Sequence, residues 1–409
     1  MAKRVRSNRA RRHSYNGDCM TRYNFDQVIE RRGTGSAKWE LFEEDVLPLW
    51  VADMDFRVPD AVIAALHERI DHGIFGYPQV SQSLRDIICQ RVESLYAWQI
   101  KADQIRFVPA IGFALSSIVR AFTEPGDRVL IQTPIYPPFL SAPAVFDRQI
   151  ITSDLVEVRD GDEIRYEIDF DDFEMTIAAQ KPKIFLLCNP HNPVGRVFTR
   201  DELERMADIC LRHGVIICSD EIHCELVHAG HQHIPTATLS PAIAGCTVTL
   251  MAPSKTFSLA GLTCGYAIVQ DKDLYTQLEA GLKGVVPFVN IMGLTAAEAA
   301  YRDGQPWLDA LLPYLTANRD YMVDYVQRHL PGVVTTRPEG TYLAWFNCRE
   351  AGLPDNDPYT FFLEKARVGL NNGRDFGESG KGFVRLNFAC PRPTLTAALD
   401  RMCTALKKA

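Results

Sequence analysis

The sequence predicts an α/β fold, with a mostly parallel seven-stranded sheet in a large domain and a smaller α+β domain after it. Three observations support this prediction. Short apolar runs alternate with helix-like segments through the middle of the chain. Runs such as "KIFLLC" (183–188) and "VIIC" (215–218) are almost continuously apolar, as in strands covered on both faces. After about residue 300, long helical patterns alternate with short strands.

Seven β-rich runs are the candidate strands, and a turn or a helix-like segment follows each of them. They are predicted at 106–111, 128–133, 149–153, 183–188, 215–219, 247–251 and 266–269. One intervening helix has clear end signals, because Thr199 and Glu202 can form a capping box and Gly214 follows its last turn. Strands that alternate with helices in this way favour parallel pairing.

The chain is expected to divide into four parts. Residues 1–20 form a basic extension, with six lysines and arginines and no acid in the first twelve residues, which we expect to be disordered. Residues 21–58 are expected to pack with the small domain. Residues 59–295 form the large domain, and residues 296–409 form the small domain around the strands of "TYLAWF" (341–346) and "GFVRLNF" (382–388).

Composition and charge argue against several classes of protein. The chain has 409 residues and a formal net charge of −7, without the basic footprint of a general nucleic-acid surface. No apolar stretch approaches the roughly 20 residues that cross a bilayer, so we expect no membrane association and a cytoplasmic protein. The eleven cysteines, an odd number, lie mostly in apolar runs, which favours reduced thiols over a disulfide framework.

Chemically distinctive residues follow five of the predicted strands. Ligands of an open parallel sheet bind outside the carboxyl ends of its strands, so we expect these residues to converge. In chain order they are the helix-starting turn at Ile111 and Gly112, then Tyr136, Asn189, Asp220 with His223, and Ser254 with Lys255. The set combines an aromatic ring, an amide, a carboxylate and a lysine.

This combination meets the requirements of pyridoxal phosphate. The aldehyde of that cofactor needs a lysine amine, its ring nitrogen a carboxylate, and its phosphate a helix N-terminus. The ring also needs an aromatic partner, and its phenolic oxygen a hydrogen-bond donor. Each residue alone fits a simpler role, such as Asp220 as a helix cap or Tyr136 as a core residue, but five in this order favour the cofactor.

Seven segments carry a family resemblance. They are "LPLWVADMDF" (47–56), "FGYP" (75–78), "IQTPIYPPF" (131–139), "CNPHNPVGRVF" (188–198), "SDEIH" (219–223), "APSKTFSLAGL" (252–262) and "GFVRLNFACPR" (382–392). With them the chain resembles the fold-type I pyridoxal phosphate enzymes, and within these the cystathionine β-lyase-like C–S lyases related to class I and II aminotransferases. The resemblance runs from about Tyr23 to the C-terminus.

The resemblance implies a role for each residue around the cofactor ring. Lys255 would bind the cofactor covalently, and Asp220 would pair with the ring nitrogen. Tyr136 would stack on the ring, and Asn189 would donate to the phenolic oxygen. His223 stands where typical aminotransferases of this fold have a tyrosine, which favours the lyase branch.

The resemblance also implies ligands for the phosphate and the substrate. The phosphate would be held by the backbone amides of Ile111 and Gly112, by Ser254, and by Tyr77 from the neighbouring subunit of a homodimer. The substrate would be bound by Arg385, which takes its α-carboxylate, and its pocket would be shaped by Trp50, Asp53 and Tyr342. Two positions depart from the family pattern, because Ala110 replaces a glycine and Thr263 replaces an arginine.

The implied activity is α,β-elimination from cystathionine or a related β-thio-substituted amino acid, giving a thiol, pyruvate and ammonia. Amino transfer is the alternative, because both reactions use the same residues. A non-catalytic protein is a remote alternative, since a binding surface has no need of Lys255, Asp220 and Arg385 together. No metal site is expected at "HCELVHAGHQH" (223–233), whose spacing lacks a zinc signature, and "GTGSAK" (33–38) is expected to be a loop rather than a P-loop.

Overall fold

The computed structural model of the protein describes residues 23–409. The predicted basic extension at 1–20 therefore lies outside the described residues. The strands are β1 Leu47–Pro48, β2 Ile105–Val108, β3 Arg128–Ile131, β4 Gln149–Thr152, β5 Leu155–Asp160, β6 Glu163–Ile168, β7 Ile184–Cys188, β8 Ile216–Asp220, β9 Thr247–Met251, β10 Gly265–Ile268, β11 Val334–Thr336, β12 Leu343–Asn347, β13 Val368–Gly369, β14 Asn371–Asn372 and β15 Phe383–Asn387.

The α-helices connect these strands and cover the sheets. They are α1 Ala37–Glu40, α2 Asp60–His72, α3 Gln82–Tyr96, α4 Ile111–Phe122, α5 Pro137–Val145, α6 Phe170–Gln180, α7 Arg200–Arg212, α8 Pro241–Ala244, α9 Pro253–Thr256, α10 Lys272–Leu282, α11 Ile291–Asp303, α12 Gln305–His329, α13 Pro358–Phe361 and α14 Arg392–Leu406. None of the helices in this described part is long and apolar enough to cross a membrane.

The predicted seven-stranded sheet is confirmed, in the order β2-β10-β9-β8-β7-β3-β4. Strands β9, β8, β7, β3 and β4 pair in parallel, and β10 is antiparallel to both of its neighbours. Every residue of β7, β9 and β10 is buried, which explains their nearly continuous apolar sequences. Because β10 reverses direction between β2 and β9, β2 again runs parallel to the central strands.

Several predicted strands extend past their observed carboxyl ends, the first of them the furthest. The sequence predicts a strand at 106–111, but β2 ends at Val108 and Ile111 is the first residue of α4. Pro109 cannot donate a hydrogen bond to a neighbouring strand, which favours an end to the pairing there. Ile111 and Gly112 therefore lie in the first turn of a helix, where backbone N–H groups have no partner within the helix.

The helix after β7 has the predicted ends. α7 begins after Thr199, whose hydroxyl accepts a hydrogen bond from the Glu202 N–H at 3.3 Å, while the Glu202 carboxylate accepts from the Thr199 N–H at 2.8 Å. The helix ends at Arg212, and Gly214 has a φ of +67°, the left-handed conformation that follows many helices.

A second sheet of six strands has the order β14-β15-β12-β11-β6-β5. The predicted strands of 341–346 and 382–388 are its adjacent strands β12 and β15, and the long helical patterns predicted after residue 300 include α12. The hairpin of β5 and β6 comes from the middle of the chain, yet β6 pairs in parallel with β11. The proposed domain limits of 59–295 and 296–409 stay a prediction, with the second sheet drawing strands from both.

Candidate active site

A cavity lies at the carboxyl edge of the seven-stranded sheet. Small-molecule sites are found at this edge of open α/β sheets. Seven of the predicted site residues line it, namely Ile111, Gly112, Tyr136, Asp220, His223, Ser254 and Lys255. The remaining wall includes Ala52, Cys188, Asn192 and the two positions that depart from the family pattern, Ala110 and Thr263.

Lys255 lies in the short helix α9, directly after β9. Its Nζ donates a hydrogen bond of 2.6 Å to the carbonyl oxygen of Ala52. Burial and the positive charge of Arg385 lower the pKa of Lys255 to about 8, against the opposing effect of Asp53 and Asp220. An amine with this pKa is partly neutral near physiological pH and is therefore a usable nucleophile and base.

Asp220 is the last residue of β8 and is almost completely buried. Its Oδ1 accepts a hydrogen bond of 3.1 Å from the Ile222 N–H. Burial raises the pKa of Asp220 to about 7, and the nearby Lys255 ammonium opposes this shift. Ionising this buried carboxylate without a partner is unfavourable, so a protonated ring nitrogen placed beside it would stabilise the charged form.

Asn189 and Tyr136 follow β7 and β3 at the same edge. The Oδ1 of Asn189 accepts a hydrogen bond of 3.1 Å from the Phe198 N–H, whereas its buried Nδ2 has no partner among the described residues. The Tyr136 N–H donates to the Asn192 carbonyl at 3.1 Å, and its ring lines the cavity. Among the described residues, Asn189 Nδ2 therefore remains available as a hydrogen-bond donor, and the Tyr136 ring presents an aromatic face to the cavity.

The first turn of α4 faces the cavity with free backbone donors. Ala110 is the extended residue before the helix, and no side chain caps that end. Ile111 and Gly112 line the cavity together with Ser254. A helix N-terminus of this kind binds anions. Thr263, where the family pattern has arginine, has its Oγ1 held by the Asn290 Nδ2 at 2.9 Å.

His223 lies at the cavity with a buried Nδ1 that has no partner among the described residues. Its ring packs edge-on against Tyr342, with 5.7 Å between the ring centroids. Burial and the positive charges of Lys255 and Arg385 lower the pKa of His223 well below its usual value. The imidazole is therefore neutral at physiological pH.

Arg385 lies on β15 of the second sheet, next to the cavity residue Asn192. Its guanidinium donates to Asn192 Oδ1 at 2.8 Å, to Asn371 Oδ1 at 2.5 Å and to the Trp50 carbonyl at 3.1 Å. Burial lowers the pKa of Arg385 to about 10, which leaves it charged at neutral pH. None of the ion pairs within residues 23–409 includes Arg385, and its Nε has no acceptor there. The site therefore holds a buried cation without an acidic partner.

Trp50, Asp53 and Tyr342 lie behind the cavity wall and around Ala52. The Tyr342 hydroxyl donates to the Ala52 carbonyl at 3.0 Å, the oxygen that also receives Lys255. Trp50 donates through its Nε1 to the Lys38 carbonyl at 3.1 Å, and Asp53 forms an ion pair with Arg31 at 2.7 Å.

Tyr77 does not reach the cavity within a single chain. Its side chain is 97% exposed, and the neighbouring Ile74 and Phe75 are also exposed. It is the one predicted site residue that this chain alone leaves on its outer surface.

The sequence analysis missed two contributors to the site. Asn192 binds Arg385, and it stood within the quoted segment "CNPHNPVG" without being singled out. The Ala52 carbonyl binds Lys255, and a backbone carbonyl has no signature in a sequence.

The histidines of residues 223–233 point to different partners. His228 contacts Thr316 and the Thr341 carbonyl, and His233 contacts Glu221 at 2.8 Å, whereas His223 faces the cavity. No cluster of three metal-ligating side chains occurs anywhere in residues 23–409.

Comparisons with known proteins identify close relatives. The family model for aminotransferase class I and II matches residues 44–402. Cystathionine beta-lyase PatB of Bacillus subtilis is 41% identical, covering 94% of this chain and all of PatB. Cystalysin of Treponema denticola, whose structure contains pyridoxal 5'-phosphate, superposes with a TM-score of 0.90 at 33% identity, covering 94% of this chain and 99% of cystalysin. The pyridoxal phosphate-bound C–S lyase of Staphylococcus hominis gives 0.87 at 32% identity, covering 94% and 99%.

Proposed function

Since this chain belongs to the family of class I and II aminotransferases, we propose that it is a pyridoxal phosphate-dependent carbon–sulfur β-lyase of that family. The substrate would be cystathionine or a related β-thio-substituted amino acid, and the products a thiol, pyruvate and ammonia. The named activities of PatB and of the S. hominis enzyme support the lyase branch. The observation that carries the proposal is a partly buried lysine with a depressed pKa, in one cavity with a buried aspartate.

The residues of the cavity fit pyridoxal phosphate. The unpartnered donor of Asn189 suits the phenolic oxygen, and the uncapped first turn of α4 with Ser254 suits the phosphate. Asp220 suits the ring nitrogen, Tyr136 suits the ring face, and Lys255 suits the aldehyde. When bound, the cofactor supplies an electrophilic carbon for amines and a ring that accepts the electron pair released at Cα.

The side chains of this protein then have separate tasks. The Arg385 guanidinium binds and orients the substrate carboxylate, an anion that would neutralise its unpaired buried charge. The Lys255 amine, with a pKa of about 8, takes the proton from Cα. The buried Asp220 carboxylate favours a protonated ring nitrogen beside it.

Amino transfer is the second candidate function. The matching family model is described by that activity, and the residues named above serve both reactions. The neutral His223, in place of the tyrosine of typical aminotransferases, favours elimination.

We further propose that the active protein is a cytoplasmic homodimer, with Tyr77 completing the partner's phosphate site. The exposure of Tyr77, Ile74 and Phe75 supports a covered surface in the assembly. The ten cysteines of residues 23–409 are all free thiols, which is typical of proteins of a reducing compartment.

Incubation of the purified enzyme with cystathionine, without any oxo acid, tests the proposed reaction. We expect pyruvate and a thiol in equal amounts. Amino transfer that depends on an added oxo acid, without pyruvate release from cystathionine alone, would instead establish the second candidate.

A further inference from the structure

The active-site strap is a segment, residues 49–55, that passes directly over Lys255 and Arg385. One side of the strap contacts the predicted site residues. The Trp50 carbonyl accepts a hydrogen bond from Arg385 at 3.1 Å, and the Ala52 carbonyl accepts one from Lys255 at 2.6 Å. The position of the strap therefore fixes where the Lys255 amine and the Arg385 guanidinium lie.

A buried cluster of four charges holds the back of the strap. The Lys38 side chain is completely buried, and its Nζ lies 2.7 Å from Asp55 Oδ2 and 3.2 Å from the Asp53 carbonyl. Arg31 bridges the same two acids, at 2.5 Å from Asp55 Oδ1 and 2.7 Å from Asp53 Oδ2. Two cations thus balance two anions.

Further hydrogen bonds tie this cluster to the same few residues. Trp39 Nε1 donates to Asp55 Oδ1 at 2.8 Å, and Trp50 Nε1 donates to the Lys38 carbonyl at 3.1 Å. Lys38 and Trp39 belong to α1, in and directly after the "GTGSAK" segment that the sequence analysis assigned to a loop. A completely buried ammonium is costly unless its partners are well placed, so these contacts define a specific structure.

We propose that Lys38 is a positioning residue for Lys255: paired with Asp55, it holds the active-site strap so that the Ala52 carbonyl and the Asp53 charge face the Lys255 amine. This inference rests on the proposed function for its role in catalysis. The structural coupling of Lys38 to Lys255 through the strap does not depend on that function.

The charge balance of the cluster provides a discriminating test. The titratable groups that face Lys255 are Asp53, Asp220, Arg385, His223 and the Tyr342 hydroxyl, which shares its carbonyl acceptor. Charge acting through space alone would raise the pKa of Lys255 in Lys38→Met, which removes a cation, and lower it in Asp55→Asn, which removes an anion. Loss of the strap's position instead withdraws the Ala52 carbonyl and the Asp53 charge from the amine, and therefore lowers the pKa of Lys255 in both variants.

The experiment measures the pH dependence of dinitrofluorobenzene labelling at Lys255 in the full chain without cofactor, located by peptide mass mapping. We expect the midpoint to fall in both Lys38→Met and Asp55→Asn, by about one pH unit, the order of one lost charge interaction in a protein interior. Arg31→Met should also lower the midpoint, because Arg31 holds the same two acids, and it replaces Lys38→Met if that variant does not fold.

The exposed Lys365→Met serves as the matched control and should leave the midpoint unchanged. In the loaded enzyme we expect Lys38→Met to lower kcat on the order of 10²-fold, the effect of a small misplacement of a catalytic group. Midpoints that stay at the wild-type value, or that rise in Lys38→Met while they fall in Asp55→Asn as charge alone would give, would overturn the proposal. Absence of cofactor binding or of pyruvate release would overturn the proposed function instead and leave the labelling result valid.

Discussion

At the scale of single residues, the site combines groups whose charges are unfavourable until a ligand arrives. Arg385 is buried with neutral oxygen acceptors, and burial is the main cause that raises the pKa of Asp220 to about 7. Each of these groups gains stabilisation from one part of the proposed ligands, the substrate carboxylate and the ring nitrogen respectively. Binding of the substrate carboxylate and of the cofactor ring therefore relieves the unfavourable burial of Arg385 and Asp220.

Replacing Arg385 tests the assignment of the substrate carboxylate. Arg385→Lys keeps a positive charge but loses the planar pair of donors, so we expect kcat/KM to fall on the order of 10²-fold, mainly through KM. Steady-state kinetics measure this, and Arg374→Lys, at an exposed arginine, is the control. An unchanged KM in Arg385→Lys would contradict the assignment.

The raised pKa of Asp220 predicts how the cofactor-free protein responds to pH. The folded protein keeps the Asp220 proton up to about pH 7, whereas the unfolded chain loses it near pH 4, so this group lowers stability as pH rises between these values. Asp220→Asn cannot lose a proton, and we expect it to gain about 1.4 kcal/mol relative to wild type for each pH unit in this window.

Urea unfolding of both proteins at pH 4 to 8 checks this prediction. Since each is compared with the other at the same pH, contributions common to both cancel. A stability difference that does not change across the window would show that Asp220 is ionised in the cofactor-free protein.

At the scale of secondary-structure elements, the strands of the seven-stranded sheet could be predicted from the sequence, whereas the pairing of distant strands could not. All seven strands were predicted, because strands such as β7 and β9 are buried on both faces and consist of apolar residues. The hairpin of β5 and β6 was missed although polar and apolar residues alternate in β6, and its place in the second sheet depends on pairing with the distant β11. Local pattern carries no information on such pairing.

The same distinction explains which site residues could be predicted from the sequence. Residues that follow a buried strand, such as Asn189 and Asp220, could be predicted because the sheet edge gathers them. The contacts of the active-site strap could not, since they join backbone carbonyls to side chains more than 200 positions away, as in the bond from Lys255 to Ala52.

The contact between β10 and α4 gives a prediction at this scale. A Cβ atom on Gly265 would lie 2.9 Å from Ile111 Cδ1, at the helix start that we assign to the phosphate. We expect Gly265→Ala to displace Ile111, to cost about 1–3 kcal/mol of stability and to weaken cofactor binding.

Gly261→Ala is the matched control, because a Cβ there meets no atom within 4 Å. Urea unfolding and titration with pyridoxal phosphate measure the two effects. Equal cofactor affinities in both variants would remove the proposed role of this helix start.

At the scale of the whole molecule, one chain holds every predicted site residue except Tyr77 at or next to the cavity. Tyr77 is almost completely exposed beside Ile74 and Phe75. Under the proposed dimer, each site would depend on the partner subunit, and mutations in different subunits could complement one another.

Mixed dimers test this arrangement. A Tyr77→Ala subunit paired with a Lys255→Ala subunit would contain one intact site, built from the Lys255 of the first and the Tyr77 of the second. We expect each variant alone to have little activity and an equal mixture, after subunit exchange, to regain about a quarter of wild-type activity by statistical mixing. Hybrid dimers that form without regaining activity would show that Tyr77 acts within its own chain, whereas full activity of Tyr77→Ala alone would show that Tyr77 has no role.

The most direct test of the central claim is borohydride reduction of the protein loaded with pyridoxal phosphate, followed by peptide mass mapping. Borohydride fixes the cofactor to the amine that holds it. We predict a single modified lysine, Lys255, and no modification at that peptide in Lys255→Ala. A cofactor fixed to a different lysine, or none fixed at all, would contradict the account.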